Sequence, residues 1–144
     1  MKIIVINGPN LNLIKRRNSN AYGENDLTEI RSQLEKEFPS ISIDFFQTNS
    51  EDEIVRLVQS APDSHDALII NPAGYSHTSV AIRDALEICD IPKIEVHLSN
   101  IASREDFRQY SLTSSVCDGY ISGFKQRSYI AAVYILSHLL QKKF

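Results

Sequence analysis

Glu95 and His97 form the pair whose chemistry is clearest from the sequence. They stand two positions apart in the apolar segment 94–98, so both side chains point to the same face if that segment is a strand. A carboxylate beside an imidazole favours the imidazolium form and orients the ring, as a general acid requires. The alternative is a polar pair at a strand end with a structural role only.

Arg17 and Tyr22 form a second pair, five residues apart in the long polar segment 7–25. A tyrosine hydroxyl is a poor base at neutral pH, but an adjacent guanidinium favours the phenolate. Segments of this length are often functional lids, and this one lacks both glycine-rich phosphate-binding patterns. The pair therefore indicates a general base on a lid, with a solvated basic patch around a packed tyrosine as the alternative.

Polar residues also crowd segment 71–79, which precedes a predicted helix. Backbone N–H groups at a helix start suit an anionic or hydroxylated ligand. The serines and the threonine of this segment are ordinary capping residues, whereas His77 is less expected there. Asp84 lies about two helical turns further on, and it is a surface charge, a partner of Arg83 or Lys93, or a site residue.

Short apolar runs and helical patterns alternate along the chain. The runs predict strands at 3–6, 67–70, 94–98 and 120–122. At 41–45, apolar residues alternate with polar ones, which predicts a half-buried strand near a sheet edge. Helical spacing predicts helices at 27–38, 54–61, 80–89 and 130–140, with a short helix at 103–110. Five such units predict an α/β, flavodoxin-like fold, with a five-stranded parallel sheet in the order 2-1-3-4-5 and helices on both faces. Ligands of such sheets bind at the carboxyl ends of the strands, where all three polar segments lie.

The composition limits the class of protein. The chain has 144 residues, 42% of them hydrophobic, and a formal net charge of −3. These values predict a single domain over residues 1–144 and argue against a nucleic-acid surface. Cys89 and Cys117 stand far apart without a ligand cluster, so we expect no metal and reduced thiols. No segment has the pattern of a signal peptide or a membrane span, which predicts a cytoplasmic protein without membrane contact.

Three longer motifs contain these residues. They are Ile-Asn-Gly-Pro-Asn-Leu-Asn-Leu at 6–13, Asn-Pro-Ala-Gly-Tyr-Ser-His-Thr-Ser-Val-Ala-Ile-Arg-Asp-Ala at 71–85, and Glu-Val-His-Leu-Ser-Asn-Ile at 95–101, followed by Arg-Glu-Asp-Phe-Arg at 104–108. Together, in this order and at predicted strand ends, they resemble the type II 3-dehydroquinate dehydratases over nearly the whole chain. The resemblance implies a flavodoxin-like hydro-lyase of the shikimate pathway, which leads to chorismate and the aromatic amino acids. Such an enzyme converts 3-dehydroquinate to 3-dehydroshikimate by anti elimination of water without a cofactor.

The resemblance assigns five catalytic roles. Tyr22 would take a proton from the carbon beside the ketone, and Arg17 would hold it as phenolate and keep the lid closed. Asn12 would position a water against the developing enolate oxygen. His97, oriented by Glu95, would protonate the departing hydroxyl.

The resemblance also implies how the substrate binds. Asn71 and the backbone N–H groups of Leu98 and Ser99 would bind the carboxylate, and His77 and Arg108 would bind the ring hydroxyls. Asp84 would reach into the site of a neighbouring subunit, because the family forms trimers that assemble into dodecamers.

The lid departs from the family pattern. Lys15 stands where a glycine is usual, and Asn18-Ser19 stand where Glu-Pro is usual. Ala73 and Lys125 also replace common glycines. These departures leave open a catalytically weakened relative that binds a small polyol acid as an oligomer. A dehydratase of quinate breakdown stays open too, and the fold class by itself permits a flavin-binding protein.

Overall fold

Five parallel strands form one sheet in the computed structural model, which describes residues 1–141. The strands are β1 (Lys2–Asn7), β2 (Ser42–Gln47), β3 (Ala67–Asn71), β4 (Lys93–His97) and β5 (Gly119–Ser122). Their order across the sheet is β2-β1-β3-β4-β5, and every neighbouring pair is parallel. The predicted flavodoxin-like α/β fold is therefore confirmed.

Helices cover both faces of this sheet. They are α1 (Ser19–Tyr22), α2 (Leu27–Glu37), α3 (Glu51–Ser64), α4 (Val80–Ile88) and α5 (Arg127–Gln141). Because alternate residues of β1 point to opposite faces, Ile3 and Val5 pack with α2 and α5, while Ile4 and Ile6 pack with α3 and α4. Among the helices of residues 1–141, none is long and apolar enough to cross a bilayer.

The polar segment after β1 contains more regular structure than the predicted lid. A 3-10 turn runs over Leu11–Arg16, and α1 follows it. Leu11 and Ile14 are buried in the same core as α2 and α5, because the segment turns these two apolar side chains inward. The Asn18 side chain accepts a backbone hydrogen bond at the start of α1. These contacts anchor the stretch of chain that carries Tyr22.

The predicted short helix at 103–110 is wrong. Two 3-10 turns, Ile101–Ser103 and Asp106–Arg108, occupy this part of the chain instead. A helix this short is stable only when it buries an apolar face, and Phe107 is 67% exposed. The segment therefore follows the irregular path on which Arg104 stands between the two turns.

The turn after β1 approaches the turn after β3 so closely that only glycine fits at position 8. The N–H of Gly8 donates to the Asn71 carbonyl oxygen at 2.8 Å, and a Cβ on Gly8 would lie 2.5 Å from the Pro72 carbonyl oxygen. We expect Gly8→Ala to lower the free energy of unfolding by about 1–3 kcal/mol, because two backbone segments would have to move apart. Denaturation in urea measures this change.

Gly74→Ala is the matched control, because a Cβ on Gly74 would meet no atom within 4 Å. The free energy of unfolding of this variant should stay within about 0.5 kcal/mol of the unchanged protein. An equal loss of stability in both variants would contradict the close approach at Gly8 as the cause.

Candidate active site

The three polar segments singled out in the sequence meet in one cavity at the carboxyl ends of the strands. β3 ends at Asn71 and β4 ends at His97, and both residues line this cavity. Leu11, Arg17 and Tyr22 of the polar segment after β1 also line it. The structure brings eight of the eleven predicted site residues to its wall: Arg17, Tyr22, Asn71, His77, His97, Leu98, Ser99 and Arg108.

Tyr22 lies within a cluster of arginines. Its side chain is buried, and its hydroxyl oxygen accepts hydrogen bonds from the Arg17 guanidinium and from Arg104 Nη1, the latter at 2.6 Å. The Arg17 guanidinium also lies over the Tyr22 ring, 3.9 Å from the ring centroid. Two cations that donate to one oxygen stabilise a phenolate more than a neutral phenol. This geometry suits Tyr22 to accept a proton.

Arg104 is a residue of the cavity that the sequence analysis did not single out. Besides its contact with Tyr22, it donates to the Ser99 hydroxyl at 3.1 Å. The sequence did contain an indication that Arg104 belongs to the site, because it lies in the third motif, four positions before Arg108. Its contact with Tyr22 spans 82 residues of chain, and no local pattern connects the two.

Three arginines give the cavity a positive character. Burial lowers the pKa of the Arg17 guanidinium, Tyr22 opposes this effect, and the charges of Arg108 and Arg104 add to it. An anion that binds among like positive charges in a partly buried site reduces their mutual repulsion. The cavity is therefore suited to a substrate that carries a carboxylate.

His97 is oriented by Glu95, which lies behind it. His97 Nε2 donates to Glu95 Oε1 at 2.7 Å, and Glu95 is completely buried. The other oxygen, Oε2, accepts from the Thr113 hydroxyl at 2.6 Å, and the Ser111 hydroxyl lies 3.3 Å from Oε1. These contacts satisfy the buried carboxylate and fix the imidazole ring. Glu95 does not line the cavity, so any effect on a ligand passes through His97.

The sequence did not indicate that Thr113 and Ser111 contact Glu95. Hydroxyl residues are common in loops, and nothing in their local pattern distinguishes these two from their neighbours. Their contact with Glu95 depends on how the chain between β4 and β5 folds back over the sheet.

His77 and Arg108 are each oriented by contacts outside the cavity. His77 Nδ1 donates to the Tyr110 carbonyl oxygen at 2.9 Å, which places the ring hydrogen on that nitrogen. Arg108 Nε donates to the Glu105 carboxylate at 2.7 Å. Both side chains therefore meet the cavity in defined orientations.

The structure does not bring Asn12 or Asp84 into the cavity wall. Asn12 is exposed on the 3-10 turn after β1, beside Leu11, which does line the cavity. Asp84 is exposed on α4, and its carboxylate accepts from Arg83 Nη1 at 3.0 Å. The contact of Asp84 with a neighbouring subunit stays a prediction.

The unusual lysine of the lid is paired with the start of α2. Lys15 Nζ lies 2.7 Å from a carboxylate oxygen of Glu29 and 3.6 Å from one of Asp26. All three side chains are well exposed, so these ion pairs add little stability. These ion pairs hold the Lys15 ammonium group at the start of α2 and not beside Arg17.

Ala73 and Lys125 keep the backbone that a glycine would favour. Their φ angles are 54° and 55°, in the left-handed region that residues with a Cβ adopt at a cost. Both turns therefore adopt a conformation that glycine accommodates at lower cost.

Comparison with known proteins shows similarity along nearly the full length of the chain. The sequence model of the family described as Dehydroquinase class II matches residues 1–137. A 3-dehydroquinate dehydratase of Caldanaerobacter subterraneus subsp. tengcongensis is 46% identical over 140 residues, covering 96% of this chain and 95% of the relative. A 3-dehydroquinate dehydratase of Clostridium botulinum is 44% identical over 144 residues, covering 98% of each. The crystal structure of a type II dehydroquinase from Butyrivibrio crossotus has a TM-score of 0.91 at 42% identity, covering 95% of this chain and 97% of the other.

Proposed function

The chain belongs to the class II dehydroquinase family, and we propose that it dehydrates 3-dehydroquinate through an enolate, with Tyr22 as the base and His97 as the acid. The product is 3-dehydroshikimate, and the reaction is a step of the shikimate pathway. The observation that carries the proposal is the pair of guanidinium groups that donate to the Tyr22 hydroxyl oxygen.

Proton removal is the first step of the proposed reaction. The Tyr22 phenolate takes a proton from the carbon beside the ketone, and the electron pair of that C–H bond forms the enolate. Arg17 and Arg104 hold the phenolate before this step, because both donate to its oxygen. Asn12, next to the cavity-lining Leu11, would hold a water against the developing enolate oxygen.

Loss of the hydroxyl group is the second step. The enolate re-forms the ketone, a carbon–carbon double bond forms beside it, and the hydroxyl leaves as water with a proton from His97. Glu95 keeps the imidazole oriented for this transfer. The base stands on the lid and the acid at the end of β4, so they can act on opposite faces of the ring, as an anti elimination requires.

Substrate binding uses the positive character of the cavity. Asn71 and the backbone N–H groups of Leu98 and Ser99 would bind the carboxylate, and His77 and Arg108 would bind the ring hydroxyls. All five residues line the cavity.

We propose further that the chain acts in the cytoplasm as a single-domain subunit of a dodecamer built of trimers. Asp84, exposed on α4, would then reach a neighbouring subunit's cavity. Size-exclusion chromatography with light scattering tests this assembly, and a stable monomer with full activity would contradict the role of Asp84.

The reaction itself can be measured directly. Purified protein mixed with 3-dehydroquinate should produce the ultraviolet absorbance of a conjugated enone. Enzyme treated with borohydride in the presence of 3-dehydroquinate, and then freed of both reagents, should keep its rate. Borohydride traps lysine imines, and among the described residues no lysine lines the cavity. Loss of activity after borohydride would contradict the enolate route without an imine. Substrate binding without product would favour the weakened relative instead.

A further inference from the structure

A buried chain of hydrogen bonds lies beneath the cavity, between the ends of β1 and β3. Asn7 and Asn71 are neighbours in the register of these two strands. Between their carboxamides lies the hydroxyl of Tyr129, in the first turn of α5, and the Tyr129 side chain is completely buried. Of these three residues, only Asn71 lines the cavity.

Backbone groups fix the orientation of both carboxamides. Asn7 Nδ2 donates to the Phe46 carbonyl oxygen at 3.0 Å, and a carbonyl can only accept, so Asn7 Oδ1 faces Tyr129. At the other end, the Ala73 N–H donates to Asn71 Oδ1 at 3.2 Å, so Asn71 Nδ2 faces Tyr129.

The hydroxyl of Tyr129 connects these two ends in one direction only. Its single proton goes to Asn7 Oδ1 at 2.6 Å, and its oxygen accepts from Asn71 Nδ2 at 2.9 Å. Burial raises the pKa of this hydroxyl above its usual value, which favours the protonated form that donates to Asn7. Because the proton is committed to Asn7, the hydroxyl cannot donate to a reversed Asn71 carboxamide.

We infer that Tyr129 is a positioning residue that keeps an N–H group of Asn71, and not its carbonyl oxygen, available to the carboxylate of the substrate. One hydrogen of Asn71 Nδ2 goes to Tyr129, and the second remains for a ligand in the cavity. A reversed carboxamide would place its oxygen near the carboxylate and repel it. The inference rests on the proposed contact of Asn71 with the substrate.

The test is the KM of four proteins: the unchanged enzyme, Tyr129→Phe, Asn71→Ala and the double variant. Tyr129→Phe removes the hydroxyl and leaves the ring in the core. We expect it to raise KM about tenfold with kcat changed less than about threefold, because the lost contact is one that substrate and transition state share. In the double variant, KM should equal that of Asn71→Ala, since Tyr129 acts through Asn71.

Tyr134→Phe is the matched control, because Tyr134 is 57% exposed on the same helix and should leave KM unchanged. If Tyr129→Phe fails to fold, Asn7→Ala takes its place. Asn7→Ala frees the hydroxyl proton of Tyr129 to donate to a reversed Asn71 carboxamide, so KM should rise. Adding Asn7→Ala to Asn71→Ala should leave the KM of Asn71→Ala unchanged.

Two results would overturn the inference and leave the proposed function intact. One is an unchanged KM in Tyr129→Phe. The other is a rise in KM that persists in the double variant, which would show a general disturbance of the core. An unchanged KM in Asn71→Ala would instead remove Asn71 from substrate binding, and that result contradicts the proposed function at this residue and the inference with it.

Discussion

Replacement of Tyr22 by phenylalanine should lower kcat by about 10³-fold or more, in the upper part of the range for loss of a general base. The variant keeps the ring that packs beneath Arg17 and removes the oxygen to which Arg17 and Arg104 donate. In the proposed mechanism Tyr22 accepts a proton and does not anchor the substrate, so the Kd of 3-dehydroquinate should change little. Steady-state kinetics and calorimetric binding of the substrate measure the two quantities.

Tyr110→Phe is the control for this variant, because the Tyr110 side chain is 73% exposed and its contact with His77 uses the backbone carbonyl. It should turn over at the normal rate. Near-normal kcat in Tyr22→Phe would exclude Tyr22 as the base. A large loss of kcat in Tyr110→Phe as well would show that the assay reports damage to the fold.

His97→Ala should lower kcat by about 10²–10⁴-fold with a much smaller change in KM, because the proposed role of His97 is to protonate the hydroxyl as it departs. The same substitution also removes one of the hydrogen-bond donors to the buried Glu95 carboxylate, so the free energy of unfolding should fall as well. Kinetics and urea denaturation on the same preparation separate the two effects.

Two companion variants make the role of His97 testable apart from stability. His97→Gln keeps a hydrogen-bond donor for Glu95 and removes the proposed acid, so it should recover stability without recovering kcat. Thr113→Val instead removes a donor to Glu95 and keeps His97, so its kcat should fall by less than that of either His97 variant. A change confined to KM in His97→Ala would contradict the assignment of His97 as the acid.

The fold was predictable because its signals are local. Continuous apolar runs at 3–6 and 67–70 predicted β1 and β3, since parallel strands with both faces buried need such runs. The exposed residues of β2, among them Phe46 at 39%, match its prediction as a half-buried edge strand. Right-handed crossovers and five β-α units leave few other strand orders. The helix predicted at 103–110 was wrong because Phe107 and Tyr110, the large apolar side chains of this segment, are both exposed and form no buried face.

The site was predictable in part, for the residues that lie at strand ends. Asn71 and His97 are the last residues of β3 and β4, so the strand pattern alone placed them at one edge of the sheet. Arg17 and Tyr22 are close in sequence, and their contact needed only a folded lid. Asn12 and Asp84 were expected from the resemblance, and their proposed contacts involve a bound water and another subunit.

Spacing along the chain thus established which segments carry the chemistry and at which edge of the sheet they meet. It could not establish the partners that orient them. Arg104 reaches Tyr22 across 82 residues, and Tyr129 reaches Asn71 and Asn7 across 58 and 122 residues. A hydrogen bond forms over a few tenths of an ångström of distance and a narrow range of angles. The distances and angles of these hydrogen bonds depend on how α5 and the loops pack on the sheet, and no periodic pattern of residue types encodes that packing.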